Sequence, residues 1–265
     1  MKLALIADVH GNLEALDAVL AQIDRLDPGP QLVCAGDLVG YGPDPDACIE
    51  RLRQRGALCV KGNHEEMVLG HRDFSRCVYA GIVAAAWTRR CLSASGREFL
   101  EQLPLRIEAA PGVTVCHGNL ASADTYVSTP ERAAEAMQQL RFIRPQSRIL
   151  VCGHTHHQAL STPASGFRTV AAPGEYELDP EAPCLVNPGA VGQARDGTAP
   201  LARWAVLDLD RWRVSYRETT FDHPTTLRKL REARLVAQVV SRRPRGLHRL
   251  VERYKARWAA WRAQR

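Results

Sequence analysis

Along this chain, short apolar runs bounded by glycine, asparagine or aspartate alternate with stretches in which apolar residues recur at every third or fourth position. The first pattern predicts strands and the second amphipathic helices, so their alternation predicts an α/β fold. KLALIAD reads as a strand. In NLEALDAVLAQIDRL, residues Leu13, Leu16, Val19, Leu20 and Ile23 form one helical stripe, closed by the turn DPGP. QLVCAGD and ALCVKGN read as strands with the helical DPDACIERLRQRG between them. Residues 66–103 read as mostly helical, with Ser95 as the cap of the segment ending in EFLEQL. GVTVCHGN and RILVCGH are strands separated by the helical PERAAEAMQQL. FRTVAAP, PCLVNPG, ARWAVLDLD and RWRVSYRET complete the predicted strands.

Composition narrows the setting. With 265 residues, 45% hydrophobic and 24% charged, the chain can bury one sizeable core in the manner of a globular protein. The N-terminal run LALIA stops at Asp8, too short for a secretory core, and no apolar stretch approaches bilayer length. A cytoplasmic protein without a transmembrane segment is expected. Of the eight cysteines, Cys34, Cys59, Cys116 and Cys152 sit inside apolar strand-like runs and no CxxC pair occurs. Free, buried thiols are expected rather than disulfides.

Charge is unevenly spread. The net charge is +6, yet the residues from Arg228 onward hold 13 Lys and Arg against 2 Glu, leaving a mildly acidic body. In the last stretch Leu247, Leu250, Val251, Tyr254, Trp258 and Trp261 recur at helical spacing opposite the basic residues. This tail is expected to cover an apolar patch, to contact a second copy, or to attract a polyanion or an anionic membrane surface.

Candidate chemistry sits where the strands end. The first ends in Asp8-Val9-His10-Gly11-Asn12, the second in Gly36-Asp37 and the third in Gly62-Asn63-His64-Glu65; later ones end in His117-Gly118-Asn119 and Gly153-His154-Thr155-His156. In open α/β sheets, sites form at the carboxyl ends of strands, so these side chains are expected to converge. Two aspartates, four histidines and one asparagine exceed what one tetrahedral ion needs and suit two ions sharing a carboxylate. Nitrogen and oxygen donors suit Mn, Fe, Zn, Co or Ni better than Mg.

DVHGN, GDLVGYG, GNHEE, CHGN and GHTHH together resemble the ordered motif set of the calcineurin-like metallophosphoesterase superfamily, and within it the YfcE-like phosphodiesterase group. GYGPDPDACIE, AAWTRRCLSASGREFLEQLPLRIE and LVNPGAVGQARDG carry the likeness to about residue 218. The resemblance implies a four-layer α/β/β/α sandwich over residues 1–218, with a helical insertion at about 66–110, followed by a basic, mainly helical extension over 219–265. It implies Asp8, His10 and His156 on one metal, Asn63, His117 and His154 on the other, and Asp37 between them. Manganese is the favoured metal. His64 matches the family's acid or charge-stabilising histidine, and Asn12 a supporting or phosphate-facing position. The implied reaction is attack on a phosphoester by hydroxide bridging the two metals.

One departure bears on substrate. Protein phosphatases of this superfamily read GDxVDRG in the second motif, whose arginine grips a phosphate dianion; here Gly40 and Tyr41 stand in its place. That favours small nucleotide-like or generic phosphodiesters over phosphomonoesters, with Arg195 in GQARDG as a cation from another loop and Tyr41 as a substrate contact. The alternatives are a nucleotide or protein phosphatase, or a metal-free interaction scaffold of the same fold. His157 falls outside the motif spacing and is expected to face solvent or support a ligand, and His71 is read as ordinary. Glu65 and Glu66 read as exposed charges at a helix start, and Asp44 and Asp46 as turn and cap residues.

Overall fold

Alternation within the first strand sets the layers. In β1 (Lys2–Ile6), Leu3 and Leu5 join one apolar cluster while Ala4 and Ile6 join another. A strand buried on both faces lies between two layers. The computed structural model describes residues 1–74, 77–195, 200–235 and 255–258. After β1 come α1 (Leu13–Ile23), β2 (Gln31–Cys34), α2 (Pro45–Gln54), β3 (Leu58–Cys59) and α3 (Asn63–Leu69). Two further helices follow, α4 (Tyr79–Cys91) and α5 (Ala94–Gln102), then β4 (Arg106–Ala110), β5 (Val113–Cys116), α6 (Pro130–Ile143) and β6 (Ile149–Val151). The rest is β7 (Gln158–Thr162), β8 (Gly166–Thr169), β9 (Gly174–Glu177), β10 (Cys184–Pro188), β11 (Leu201–Asp208), β12 (Arg213–Thr220) and α7 (His223–Glu232).

The strands form two sheets, in the orders β3-β2-β1-β11-β12-β9 and β4-β5-β6-β10-β7-β8. Strands β1, β2 and β3 run parallel, as do β5, β6 and β10. Between the sheets Leu3, Leu5 and Val33 pack with Val115, Val151 and Val186. Leu16 and Val19 of α1 and Leu52 of α2 cover the outer face of the first sheet, on Ala4 and Ile6. Ala136 and Leu140 of α6 cover the second, on Leu150 and Leu185. The result is the expected four-layer α/β/β/α sandwich.

Local readings differ in three places. The helical insertion ends at Gln102, and residues 106–110 instead form β4, an edge strand paired antiparallel with β5 through an irregularity near Glu108. The cap of α5 is Ser93, whose side chain accepts from the Gly96 N–H at 3.0 Å, and not Ser95. Strands β7 and β9 escape the apolar-run reading because GEYE is polar and β7 opens on Gln158. That buried amide donates to the carbonyls of Trp204 and Arg217, so hydrogen bonding rather than an apolar side chain seats it.

The start of the C-terminal extension packs on the body. Asp222 caps α7 by accepting from Thr225 N–H at 3.1 Å, and Leu227 and Leu230 pack with Ala84, Trp87 and Tyr41. Lys229 bridges Asp44 and Glu14, while Ser93 donates to Asp46. The helix expected over 247–261 lies outside the described residues except for helical positions 255–258. Among the described residues no helix is long and apolar enough to cross a membrane. All eight cysteines are free; Cys91 is exposed and Cys77 half-buried, the others buried.

Candidate metal centre

The loops that leave the parallel strands hold five of the seven predicted ligands in an unusual backbone state. Asp8, His10, Asp37, Tyr41, His154 and His156 all have φ between 28° and 66°, and outside this group only Trp212 and Arg234 do so among the described non-glycine residues. The left-handed region is costly for residues with a Cβ and concentrates at functional sites. Two glycines make the close approaches. A Cβ on Gly62 would clash with the Asp37 carboxylate, and one on Gly40, at φ +98°, would clash with Nδ1 of His64.

Each aspartate is anchored by one oxygen and presents the other. Asp8 Oδ2 accepts from the His154 N–H at 3.1 Å, and Asp37 Oδ1 accepts from the His64 N–H at 2.9 Å. The second oxygens enter a histidine cluster. Asp8 Oδ1 lies 3.3 Å from Nε2 of His156 and 3.8 Å from Nε2 of His10. Asp37 Oδ2 lies 3.2 Å from Nε2 of His117 and 3.7 Å from Nε2 of His10. Nε2 of His117 is in turn 3.1 Å from Asn63 Oδ1 and 3.2 Å from Nδ1 of His154. The seven predicted ligands thus meet in two adjoining groups, with Asp37 reaching both.

Ring orientation tests whether cations fit. Nδ1–H of His10 donates to the Val39 carbonyl at 3.1 Å, Nδ1–H of His117 to Ala35 at 2.7 Å, and Nδ1–H of His156 to Gln193. A carbonyl only accepts, so each bond assigns the proton to Nδ1 and the lone pair to Nε2 in the neutral ring. The Nε2 atoms of His10 and His156 then face each other at 3.1 Å, beside a buried Asp8 Oδ1 that has no hydrogen-bond donor. Lone pairs and carboxylate oxygens gathered this way call for a cation, and the outer hydrogen bonds are those that orient metal-binding imidazoles. The donors fit divalent transition metals.

Electrostatics agree. Burial holds His10, His154 and His156 well below the usual imidazole range, which keeps them neutral. Burial also pushes Asp8 up to about 7. Burial works equally against the charge of Asp37, but His117, His64 and His10 hold its carboxyl well below the usual range. His117 is pushed up to about 9, against the effect of burial, chiefly by Asp37. A proton on His117 thus supplies positive charge where a cation would.

The remaining predicted residues divide. His64 lies against the cluster, its ring 4.7 Å from that of His10, with Nδ1 buried and without a hydrogen-bond partner; burial pushes it down to about 4. Tyr41 packs against both His10 and His64 at 4.8 Å. Asn12 turns inward: its amide donates to Gly192 O at 2.9 Å, and its oxygen accepts from Ala15 N–H and Thr226 Oγ1–H. His157 is half-buried and outside the cluster, and His71 pairs with Glu101 at the surface.

Two residues lay beyond the sequence reading. Glu65 is fully buried, not an exposed helix-start charge. Its Oε2 accepts from the N–H groups of Asp37 and Gly62 at 2.9 and 2.7 Å, and Oε1 from Val39 at 3.1 Å. It braces the Asp37 loop against the Asn63 loop; burial, then the charge of Asp37, pushes it up to about 7. Tyr126 stacks on His154, ring centroids 4.0 Å apart and planes 29° apart, and its oxygen accepts from Arg195 at 3.0 Å. Nothing in the run ADTYVS signals this. The GNHEE motif could have flagged Glu65, since an acid three residues after the N-cap Gly62 is placed to accept from that residue's backbone N–H.

Comparison with known proteins places this geometry. Residues 1–211 match the sequence model of the calcineurin-like phosphoesterase superfamily domain. An uncharacterised protein of Methanocaldococcus jannaschii is 29% identical over 237 residues, covering 88% of this chain and 93% of that one. A metallophosphoesterase crystal structure from Sphaerobacter thermophilus superposes with a TM-score of 0.77 at 29% identity, over 90% of this chain and 97% of that one. A symmetrical bis(5'-nucleosyl)-tetraphosphatase of Yersinia enterocolitica is 43% identical over 83 residues, which are 31% of this chain and 26% of that protein.

Proposed function

We propose that this chain, which belongs to the calcineurin-like phosphoesterase superfamily, is a dimetal phosphodiesterase that hydrolyses small nucleotide-like or generic phosphodiesters. The observation that carries this is the pair of adjoining donor groups joined at Asp37. Asp8, His10 and His156 would hold one divalent ion and Asn63, His117 and His154 the other, with Asp37 shared. Manganese is favoured, and Fe, Zn, Co and Ni also suit nitrogen and oxygen donors. Such ions bring the pKa of water from 15.7 to about 7 and offset phosphate charge.

The chain's own groups then orient the reaction. Water gives up one proton to solvent and its oxygen bonds to phosphorus as the opposite ester bond breaks, so the leaving oxygen must be stabilised. His64, kept neutral by its burial, donates a hydrogen bond to that oxygen, which takes its proton from solvent. A neutral imidazole serves as such a donor without carrying charge. Tyr41 walls this side of the cluster. Asn12 supports the first ligand loop.

Two features support diesters. GDLVGYG lacks the arginine that would grip a dianion, and the partial likeness to a bis-nucleosyl tetraphosphatase favours nucleotide-like substrates. The eight free thiols fit a cytoplasmic setting. Residues 1–218 form the catalytic unit in this reading, and the basic extension from 219 onward serves oligomer or polyanion contact. Rates on a nitrophenyl diester and the matching monoester, with manganese present, test the proposal. Faster turnover of the diester is expected; faster monoester turnover would make the protein a phosphatase.

A further inference from the structure

A phosphate entering this centre meets no cation from the loop Gly36–Gly42, whose sequence is GDLVGYG. A guanidinium arrives instead from the loop after β10. Gln193 accepts the Nδ1–H of His156 through its carbonyl, and two residues later Arg195 reaches the same rim. Its charge acts on Asp8, His10, His64, His154 and His156. Its Nη1 donates to the Tyr126 oxygen at 3.0 Å, and its guanidinium carbon lies 5.9 Å from the Tyr126 ring centre. Tyr126 itself is fixed from below by the His154 ring. The loop leading to it is held in two places: Asp124 pairs with Arg72, and Asn119 accepts from the N–H groups of Ala121 and Ser122 at 3.0 and 2.8 Å. Arg72 is also engaged by Glu66 at 3.1 Å. Tyr126 nevertheless stays 40% exposed, so the assembly opens to incoming ligand.

We propose that Arg195 and Tyr126 form a phosphate clamp, in which Arg195 binds non-bridging oxygen of the scissile phosphodiester and Tyr126, seated on His154, holds the guanidinium in place. The inference rests on the phosphoesterase reading above and deepens it. A planar fork of N–H donors matches phosphate oxygens and is most effective when its orientation is fixed beforehand. Arg195 is the substrate-binding residue, and Tyr126 is a positioning residue that acts through it. The clamp brings one cation to the phosphate from the loop after β10, in place of one from GDLVGYG. Its planar fork of donors can span the two non-bridging oxygens of a diester.

The clamp is tested by calorimetric titration of the full-length, manganese-loaded protein with inorganic phosphate, alongside kinetics on a nitrophenyl diester. R195M is expected to weaken phosphate binding about 10- to 100-fold, the range for losing hydrogen bonds to a charged group. Its KM should rise by more than its kcat falls. Y126F keeps the ring on His154 and removes only the acceptor; a smaller loss of phosphate binding is expected. The double variant should bind no more weakly than R195M alone, because the tyrosine acts only through the arginine. R195K, which keeps the charge but lacks the fork, should not restore binding. Manganese content should match wild type throughout. Phosphate affinity in R195M within twofold of wild type would overturn the clamp, and so would fully additive losses in the double variant. Wild type that hydrolyses neither ester while R195M loses phosphate would overturn the phosphodiesterase reading and leave the clamp standing.

Discussion

Nε2 of His10 and Nε2 of His156 face each other at 3.1 Å, each ring pinned from behind by a backbone carbonyl that takes its Nδ1 proton. Residues 146 positions apart in the chain are brought to this contact because β1 and β6 end at the same rim of the sandwich. Two lone pairs so placed repel unless a proton or a metal ion lies between them. The fold therefore holds in place an arrangement that is favourable only with a cation bound, and the predictions below follow from it.

His64 shares a donor group with His10 and Asp37 and is proposed to act on the leaving oxygen. H64A is expected to keep wild-type manganese content while slowing turnover of a poor leaving group about 100-fold or more, the range for losing one hydrogen-bond donor to a developing oxyanion. An activated nitrophenyl ester should be affected less. Comparing kcat for an alkyl diester and a nitrophenyl diester in the variant checks this; equal losses on both would remove His64 from the leaving-group side.

Gly40 leaves room for that imidazole. A Cβ here would strike His64 Nδ1, and the φ of +98° adds backbone strain. G40A is expected to fold, to bind metal and to show the same selective kinetic defect as H64A. A G40A enzyme with wild-type kcat on poor leaving groups would show that the His64 ring can move without consequence.

Glu65 accepts from three backbone N–H groups in the two loops that carry Asp37 and Asn63. Removing it strands buried donors, which cost about 1–3 kcal/mol each. E65A is expected to lower the melting temperature and to weaken manganese affinity about 10- to 100-fold, as loss of a ligand-supporting group does. E65Q should fall between wild type and E65A. Thermal unfolding and metal titration read both effects; unchanged metal affinity in E65A would reduce Glu65 to a purely structural brace.

Much of this centre can be read in the sequence because a strand ending in a polar cluster leaves a repeated mark. Asp8, Asp37, Asn63, His117 and His154 each close or follow an apolar run, and parallel strands carry their ends to a common rim. Glu65 departs from its reading as an exposed charge because its partners, the N–H groups of Asp37 and Val39, belong to a loop 26 to 28 residues away. Its burial is a property of that meeting and not of GNHEE itself. Tyr126 was invisible for the same reason, since stacking on His154 depends on where an irregular loop returns. Strand β4 hid behind the helices before it, because RIEAA is too short and too mixed to announce an edge strand.

Metal binding should depend on pH with a definite sign. His117 is pushed up to about 9, so below that pH it carries a proton that a metal ion must displace. Asp8, at about 7, adds a second proton below neutrality. Apparent manganese affinity is expected to rise about tenfold per pH unit between 7 and 9, more steeply below 7, and to level off above 9. Titrations across this range, with proton release followed in weak buffer, check the slope; affinity that does not change between pH 7 and 9 would contradict it.

The central claim is that two cations sit side by side at this rim with Asp37 between them. Anomalous diffraction from manganese-soaked crystals measures this directly. Two peaks per chain are predicted, one among Asp8, His10 and His156, the other among Asn63, His117 and His154, both within reach of the Asp37 carboxylate. A single peak, or ions bound away from Asp37, would contradict the account.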